Sequence, residues 1–129
     1  VSWASKQMAL LGTLILFFII IHMGDFWFKM KSGVLPTRVY EGFADGEALS
    51  DLYFRVAEAF RSPLLVVTYV IGQVVLYFHL SHGFQSAFQT LGLTHPKYTP
   101  FVKGLGTAFA VLVPLAFAAI PVVFYLTNK

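Results

Sequence analysis

The chain contains no cysteine, and charged residues make up only 12% of its 129 positions. The lack of thiols excludes disulfides, cysteine-ligated zinc, iron–sulfur clusters held by this chain and covalently attached c-type haem. A metal bound here must therefore take its ligands from histidine, methionine, tyrosine or carboxylate side chains. The formal net charge of +3 is small and scattered along the sequence, which argues against a nucleic-acid partner.

Hydrophobic residues take the place of the missing charge. They account for 57% of the sequence, and the mean hydropathy is +0.73. Residues 7–24, 62–95 and 104–128 contain no Lys, Arg, Asp or Glu. A helix crosses a bilayer with about 17–25 mainly apolar residues, so each window predicts one transmembrane helix. The sequence therefore predicts an all-α, multi-pass membrane protein, with residues 1–129 forming a single transmembrane domain and no cleaved signal peptide.

Helix-breaking and capping residues define the three predicted helices. Glycine and proline within residues 33–36 end the first helix. Ser62 caps the second helix, and Pro63 occupies its first turn, where a missing N–H costs nothing. In the third helix, Pro114 and Pro121 fall on one face and are expected to bend it. The predicted helices cover residues 2–28, 63–91 and 101–126.

The polar connection over residues 32–62 contains one amphipathic segment, "LSDLYFRVAEAFR". Its apolar residues recur at helical spacing, and its charged residues occupy the other faces. We interpret this segment as a short helix lying on the membrane surface, and docking onto a partner protein is the alternative. The apolar positions are Leu49, Leu52, Tyr53, Val56 and Phe60.

Three histidines fall inside the predicted membrane helices: His22 in the first, and His79 and His82 in the second. An imidazole in a bilayer is costly and needs a partner. That partner is a packing hydrogen bond, a proton-relay group or the iron of a b-type haem. A haem lying flat on a helix needs small side chains beside its ligand. The residues that share a face with His79 and meet this need are Gly72, Gly83 and Ser86.

His22 and His79 are predicted to lie at different depths in an antiparallel helix pair. His22 is about six residues from the connection between the first two helices, and His79 is about 16 residues from it. At 1.5 Å per residue, the difference is roughly 15 Å. That separation is too large for one iron but suits two haems. Each haem then needs a second ligand, for which Met8 and Met23 are weak candidates and other helices are the favoured source.

Most of the chain resembles the cytochrome b membrane-anchor subunit of bacterial succinate dehydrogenase and fumarate reductase, a di-haem family. The resemblance is carried by residues 2–29, 52–72 and 78–103, and "HLSHGFQSAFQTLG" within the last stretch is its most specific part. Members of the family have five helices and two haems b, with one histidine ligand on each of the first four helices. The resemblance implies that this chain supplies helices three to five of such an anchor.

The same resemblance implies roles for individual histidines. His22 and His79 correspond to the iron ligands of two different haems, and His82 lies beside the haem of His79 or lines a quinone pocket. The first two family helices have no counterpart here. The chain begins with Val1 rather than methionine, so we expect a processed or partial chain. The second ligands are then expected from missing anchor helices or from another anchor chain.

The function that the resemblance implies is electron transfer in the cytoplasmic membrane of a bacterium. A flavoprotein subunit oxidises succinate, an iron–sulfur subunit passes the electrons on, and the haems of the anchor deliver them to a quinone, most simply menaquinone. Residues 32–62 would face the outside, and the turn at His95 would face the cytoplasm. His95 itself is interpreted as a solvated loop residue. Lys97 and Lys103 are expected to meet lipid headgroups, and contact with the iron–sulfur subunit is the alternative.

Two other classes of function remain open at the level of sequence. The first is a small membrane subunit without haem that uses His22 and His79 as proton-relay groups. Such a role favours an acidic residue within a span, and only Asp25, near a helix end, comes close. The second is a structural adaptor whose histidines are satisfied by packing.

Overall fold

The computed structural model describes residues 3–92 and 95–127, and the protein is mainly helical. Three helices are long and apolar enough to cross a membrane: Met8–Lys31, Pro63–Thr90 and Thr99–Thr127. The three predicted spans are therefore present. The predicted start of the first helix at residue 2 lies outside the described residues.

The first span is not a uniform α-helix. Helix α1 (Trp3–Lys6) precedes the span, which consists of α2 (Met8–His22), a π-helical segment (Met23–Phe28) and α3 (Lys29–Lys31). The span therefore ends three residues beyond the predicted limit of residue 28. The π-helical segment was not predicted, and such widened turns are frequent at functional sites.

The connection between the first two spans contains a hairpin that an all-α prediction did not include. Strands β1 (Thr37–Val39) and β2 (Ala48–Ser50) pair antiparallel, with Arg38 opposite Leu49. Leu49 thus belongs to a strand and not to the amphipathic helix, which is a correction to the predicted segment. The helix itself, α4, covers Leu52–Ala59. It begins where the Asp51 side chain accepts a hydrogen bond of 3.0 Å from the Phe54 N–H.

The second and third spans form the centre of the bundle. Helix α5 covers Pro63–Thr90, and the Ser62 hydroxyl accepts a hydrogen bond from the Leu65 N–H at its start, as predicted. Helix α6 covers Thr99–Thr127, and its two prolines, Pro114 and Pro121, are buried. Helix α5 packs against α2 and against α6, while α4 lies against α6 and the π-helical segment. Helix α4 therefore covers one end of the bundle.

Two glycines allow the spans to approach closely. A Cβ atom added to Gly72 would lie 2.5 Å from the ring of Phe18, and one added to Gly106 would overlap the ring of Phe84. The Phe84 ring is itself packed against Phe88 and Phe109. Each glycine therefore leaves space for an aromatic ring from the neighbouring span, and a larger residue would push the helices apart.

Replacing Gly106 by alanine is expected to weaken the packing of α5 on α6. The added methyl group overlaps the Phe84 ring, and overpacking of this kind costs about 1–3 kcal/mol. The measurement is the midpoint of unfolding in a detergent titration followed by circular dichroism. Gly104→Ala is the matched control, because nothing lies within 4 Å of the added carbon at that position. Equal midpoints for the two variants would contradict the prediction.

Candidate functional site

His22 lies in a cluster of aromatic rings at the end of α2. Its ring is parallel to that of Phe18, with the centroids 6.0 Å apart and an interplanar angle of 10°. The centroids of Phe26 and Tyr69 are 5.3 Å and 5.7 Å from it. The imidazole is nonetheless exposed on its remaining side. Three rings thus hold the orientation of His22 while leaving part of it open to a ligand.

A cavity of about 440 Å³ opens beside His22. Its volume falls within the range of about 300–1,000 Å³ that is typical of cofactor and ligand sites. Helices α2 and α6 form two of its walls, α5 lies between them, and α4 closes the end. Its lining is almost entirely apolar or aromatic: Phe18, His22, Phe26, Leu52, Val56, Phe60, Tyr69, Gln73, Leu76, Phe117, Ile120 and Pro121.

Gln73 places an amide in this apolar wall. The residue is 8% exposed, and its Oε1 atom is buried with no hydrogen-bond partner among the described residues. A buried acceptor left unsatisfied costs about 1–3 kcal/mol. The cavity wall therefore contains one imidazole, from His22, and one amide, from Gln73, in otherwise apolar surroundings.

A buried polar network is joined to the aromatic cluster through Tyr69. The Tyr69 hydroxyl donates a 2.8 Å hydrogen bond to Oδ2 of Asp25, in the π-helical segment. The Arg55 Nε atom donates a 2.7 Å hydrogen bond to the Asp25 carbonyl oxygen, and its guanidinium lies 3.7 Å from the Asp25 carboxylate. Arg55 is only 6% exposed. These contacts join the first span, α4 and α5 through one carboxylate.

This network was missed from the sequence. Asp25 was noted only as an acid near a helix end, and Arg55 was assigned to the polar face of a surface helix. The single signal available was a carboxylate within a predicted span, which requires a buried partner. Its partners lie 30 and 44 residues away in the chain, and no local pattern identifies them.

His79 lies at a different depth from His22 along the α2–α5 pair. Its Cε1 atom would be 3.6 Å from a Cβ atom added to Gly12 of α2, and its Nδ1 atom is buried without a hydrogen-bond partner in the described part of the chain. Gly12 precedes His22 by ten residues, which corresponds to roughly 15 Å along a helix. The structure thus places His22 and His79 at depths that differ by the expected amount.

The predicted small residues around His79 do not share one open surface. The space beside Gly72 is occupied by the Phe18 ring, at the level of the aromatic cluster. Gly83 faces Met8, whose Cε atom would lie 4.0 Å from an added Cβ. Ser86 is hydrogen-bonded to His82, with 3.2 Å between Oγ and Nε2. The small residue that borders His79 most closely is Gly12 of the other helix, which the sequence reading did not select.

The fourth histidine, His95, lies in the turn between α5 and α6. His95 is exposed, and its Nδ1 atom accepts a 3.1 Å hydrogen bond from the Lys97 N–H, which suits a solvated turn. Over residues 3–92 and 95–127, no group of three or more histidine or carboxylate residues could hold a metal ion together. His22, His79 and His82 therefore do not form a shared metal site within the described part of the chain.

No protein-family model, curated protein or solved structure matches the chain. The function must therefore be inferred from the residues themselves and from their geometry.

Proposed function

We propose that this chain is the haem b-binding membrane anchor of a bacterial succinate:quinone oxidoreductase. The observation that carries the proposal is the pair of single imidazoles, roughly 15 Å apart in depth, that His22 and His79 place on the α2–α5 pair. Each imidazole has one feature that suits an axial ligand. His22 borders an apolar cavity, and His79 has a buried ring nitrogen without a partner. The cavity beside His22 and the unpartnered nitrogen of His79 support the proposal of one haem at each depth.

The chain's own residues would bind and orient these groups. Bound haem supplies a one-electron redox centre whose potential depends on its axial ligands and its burial. The Phe18, Phe26 and Tyr69 rings fix the orientation of the His22 imidazole and cover part of it. His82, held by Ser86, stands one turn beyond His79 as a hydrogen-bond partner for a propionate or a quinone. The second ligand of each haem would come from anchor helices outside this chain.

The proposal includes the partners of a complete complex. A flavoprotein subunit and an iron–sulfur subunit would deliver electrons on the cytoplasmic side, and menaquinone in the cytoplasmic membrane would accept them. The three candidate spans support a membrane location. The succinate site would lie on the flavoprotein, so this chain would contribute electron transfer alone.

A difference spectrum of the purified membrane complex tests this function. Dithionite-reduced minus oxidised samples are expected to show a low-spin b-type α band, with two haems per copy of this chain. The haem-to-chain ratio is obtained from a pyridine haemochrome assay and quantitative amino-acid analysis. A complex that contains this chain in full and shows no haem would overturn the proposal.

The buried network favours proton relay as the second candidate. Asp25 lies within the first span and is hydrogen-bonded to Tyr69, whose ring contacts His22. A carboxylate, a phenol and an imidazole in sequence are the parts of a proton path. This candidate predicts a colourless protein that carries protons across vesicles, and Asp25→Asn should abolish that flux. A haem-containing complex with the same flux before and after the substitution would exclude it.

A further inference from the structure

Four residues of the site form a chain of contacts that ends on the His22 imidazole. Arg55 contacts both the carbonyl and the carboxylate of Asp25, Asp25 accepts the Tyr69 hydroxyl, and the Tyr69 ring meets His22 at 5.7 Å and 65°. The contacts come from the π-helical segment, α4 and α5. Of the three residues that support His22, Tyr69 lines the cavity, whereas Asp25 and Arg55 do not.

We infer that Tyr69 is a positioning residue for His22, held in place by Asp25 and Arg55. This inference rests on the proposed function, because the consequence of positioning is read on the haem that His22 would ligate. The first reason is the number of rings that Tyr69 organises. Its ring makes edge contacts at 5.1 Å with Phe18 and at 5.2 Å with Phe60, and it meets Phe26 at 5.9 Å.

The second reason is that the polar end of Tyr69 is fixed by charge. Tyr69 is 5% exposed, and its hydroxyl donates to a carboxylate, which makes the hydrogen bond stronger than one between neutral groups. The carboxylate is fixed in turn, because Arg55 binds the same residue through its backbone and its side chain. Rotation of the whole side chain about χ1 would carry the hydroxyl away from Asp25 and break this bond in an apolar environment.

The third reason lies in the π-helical segment that follows His22 directly. A widened turn leaves backbone carbonyls without their usual α-helical partners, and in a membrane these must be satisfied by neighbouring groups. Arg55 satisfies the carbonyl of Asp25. The same arginine therefore stabilises the irregular backbone beside His22 and the acceptor of the Tyr69 hydroxyl. The orientation of the imidazole depends on α4, an element outside the span that carries it.

Tyr69→Phe is the test, since it keeps the ring and removes only the hydroxyl. The full membrane complex is titrated potentiometrically, and its low-spin haem signals are recorded by electron paramagnetic resonance. We expect the signal of the His22 haem to broaden and shift, and its reduction equilibrium constant to change by about threefold to tenfold, the order expected for the loss of one hydrogen bond. The His79 haem is the internal control and should not change. Tyr77→Phe, on the same helix, is the matched control variant.

Each outcome decides the inference. Loss of the His22 haem alone, with the His79 haem and the thermal midpoint retained, also supports positioning. Unchanged signals and potentials for both haems would overturn the inference and leave the proposed function standing. A wild-type complex without haem would overturn the proposed function first. If Tyr69→Phe does not assemble, Asp25→Asn takes its place, because it removes the charge that holds the hydroxyl while keeping all rings, and it is judged by the same shift.

Discussion

Replacement of His79 by alanine is expected to reduce the haem content of the complete complex from two haems per chain to one, and His22→Ala is expected to remove the other. Coordination of the iron by the axial imidazole attaches a b-type haem to its helix, and alanine offers no ligand in its place. The two histidines lie at different depths and border different neighbours, His79 facing Gly12 and His22 facing Tyr69. One substitution should therefore leave the other site intact.

The measurement is the haem-to-chain ratio of each purified variant, together with the residual α band. His82→Ala is the matched control, because His82 lies three residues from His79 on the same helix and is already hydrogen-bonded to Ser86. It should retain both haems. A single substitution that removes both haems without unfolding the complex would contradict the assignment to two sites. Loss of one haem in His82→Ala would transfer the ligand role from His79 to His82.

The spans were predictable because the bilayer imposes a constraint that sequence displays directly. Charged groups are excluded from hydrocarbon over about 30 Å, so uncharged windows of sufficient length mark the helices. The start of α5 followed from local chemistry as well, since Ser62 and Pro63 act on backbone groups within one turn. The expected depth difference between His22 and His79 follows from helix rise and antiparallel packing alone.

The polar part of the site was not predictable, because its side chains have their partners on other elements. Arg55 lies among the charged residues of an amphipathic segment, and nothing in that pattern distinguishes it from its exposed neighbour Glu58. Its burial depends on how α4 packs across the end of the bundle. The role of Gly72 was likewise decided by a ring on another helix, Phe18. Side chains whose partners lie on other elements require the tertiary structure to be interpreted.

The proton-relay alternative and the haem proposal depend on the same four side chains in different ways. In the relay, Asp25, Tyr69 and His22 must exchange protons, so a neutral replacement of Asp25 abolishes function. In the haem site, the same residues hold an orientation, so Tyr69→Phe changes a redox equilibrium without abolishing transport of electrons. The contacts between Arg55 and Asp25 favour the second role, since the guanidinium holds both the backbone carbonyl and the carboxylate of Asp25 in place.

Replacing Arg55 by alanine is expected to destabilise the protein strongly. Removal of one partner of a buried ion pair leaves the other charge uncompensated and typically costs about 3–5 kcal/mol. We expect about 3 kcal/mol, the lower end of that range, because the Asp25 side chain is 20% exposed and keeps its hydrogen bond from Tyr69. The Arg55 contact with the exposed Glu58 adds little.

The loss should be measured as the unfolding midpoint in detergent, with Arg61→Ala as the control, since Arg61 is exposed and lies just beyond α4. The double variant Asp25→Asn with Arg55→Ala decides the cause. If the penalty comes from an unpaired carboxylate, the neutral amide should restore part of the stability that Arg55→Ala loses, and the double-mutant cycle should show coupling. If Arg55→Ala unfolds no earlier than Arg61→Ala, the ion pair does not hold α4 on the bundle. The aromatic contacts of Phe60 and Tyr53 would then be sufficient to dock it.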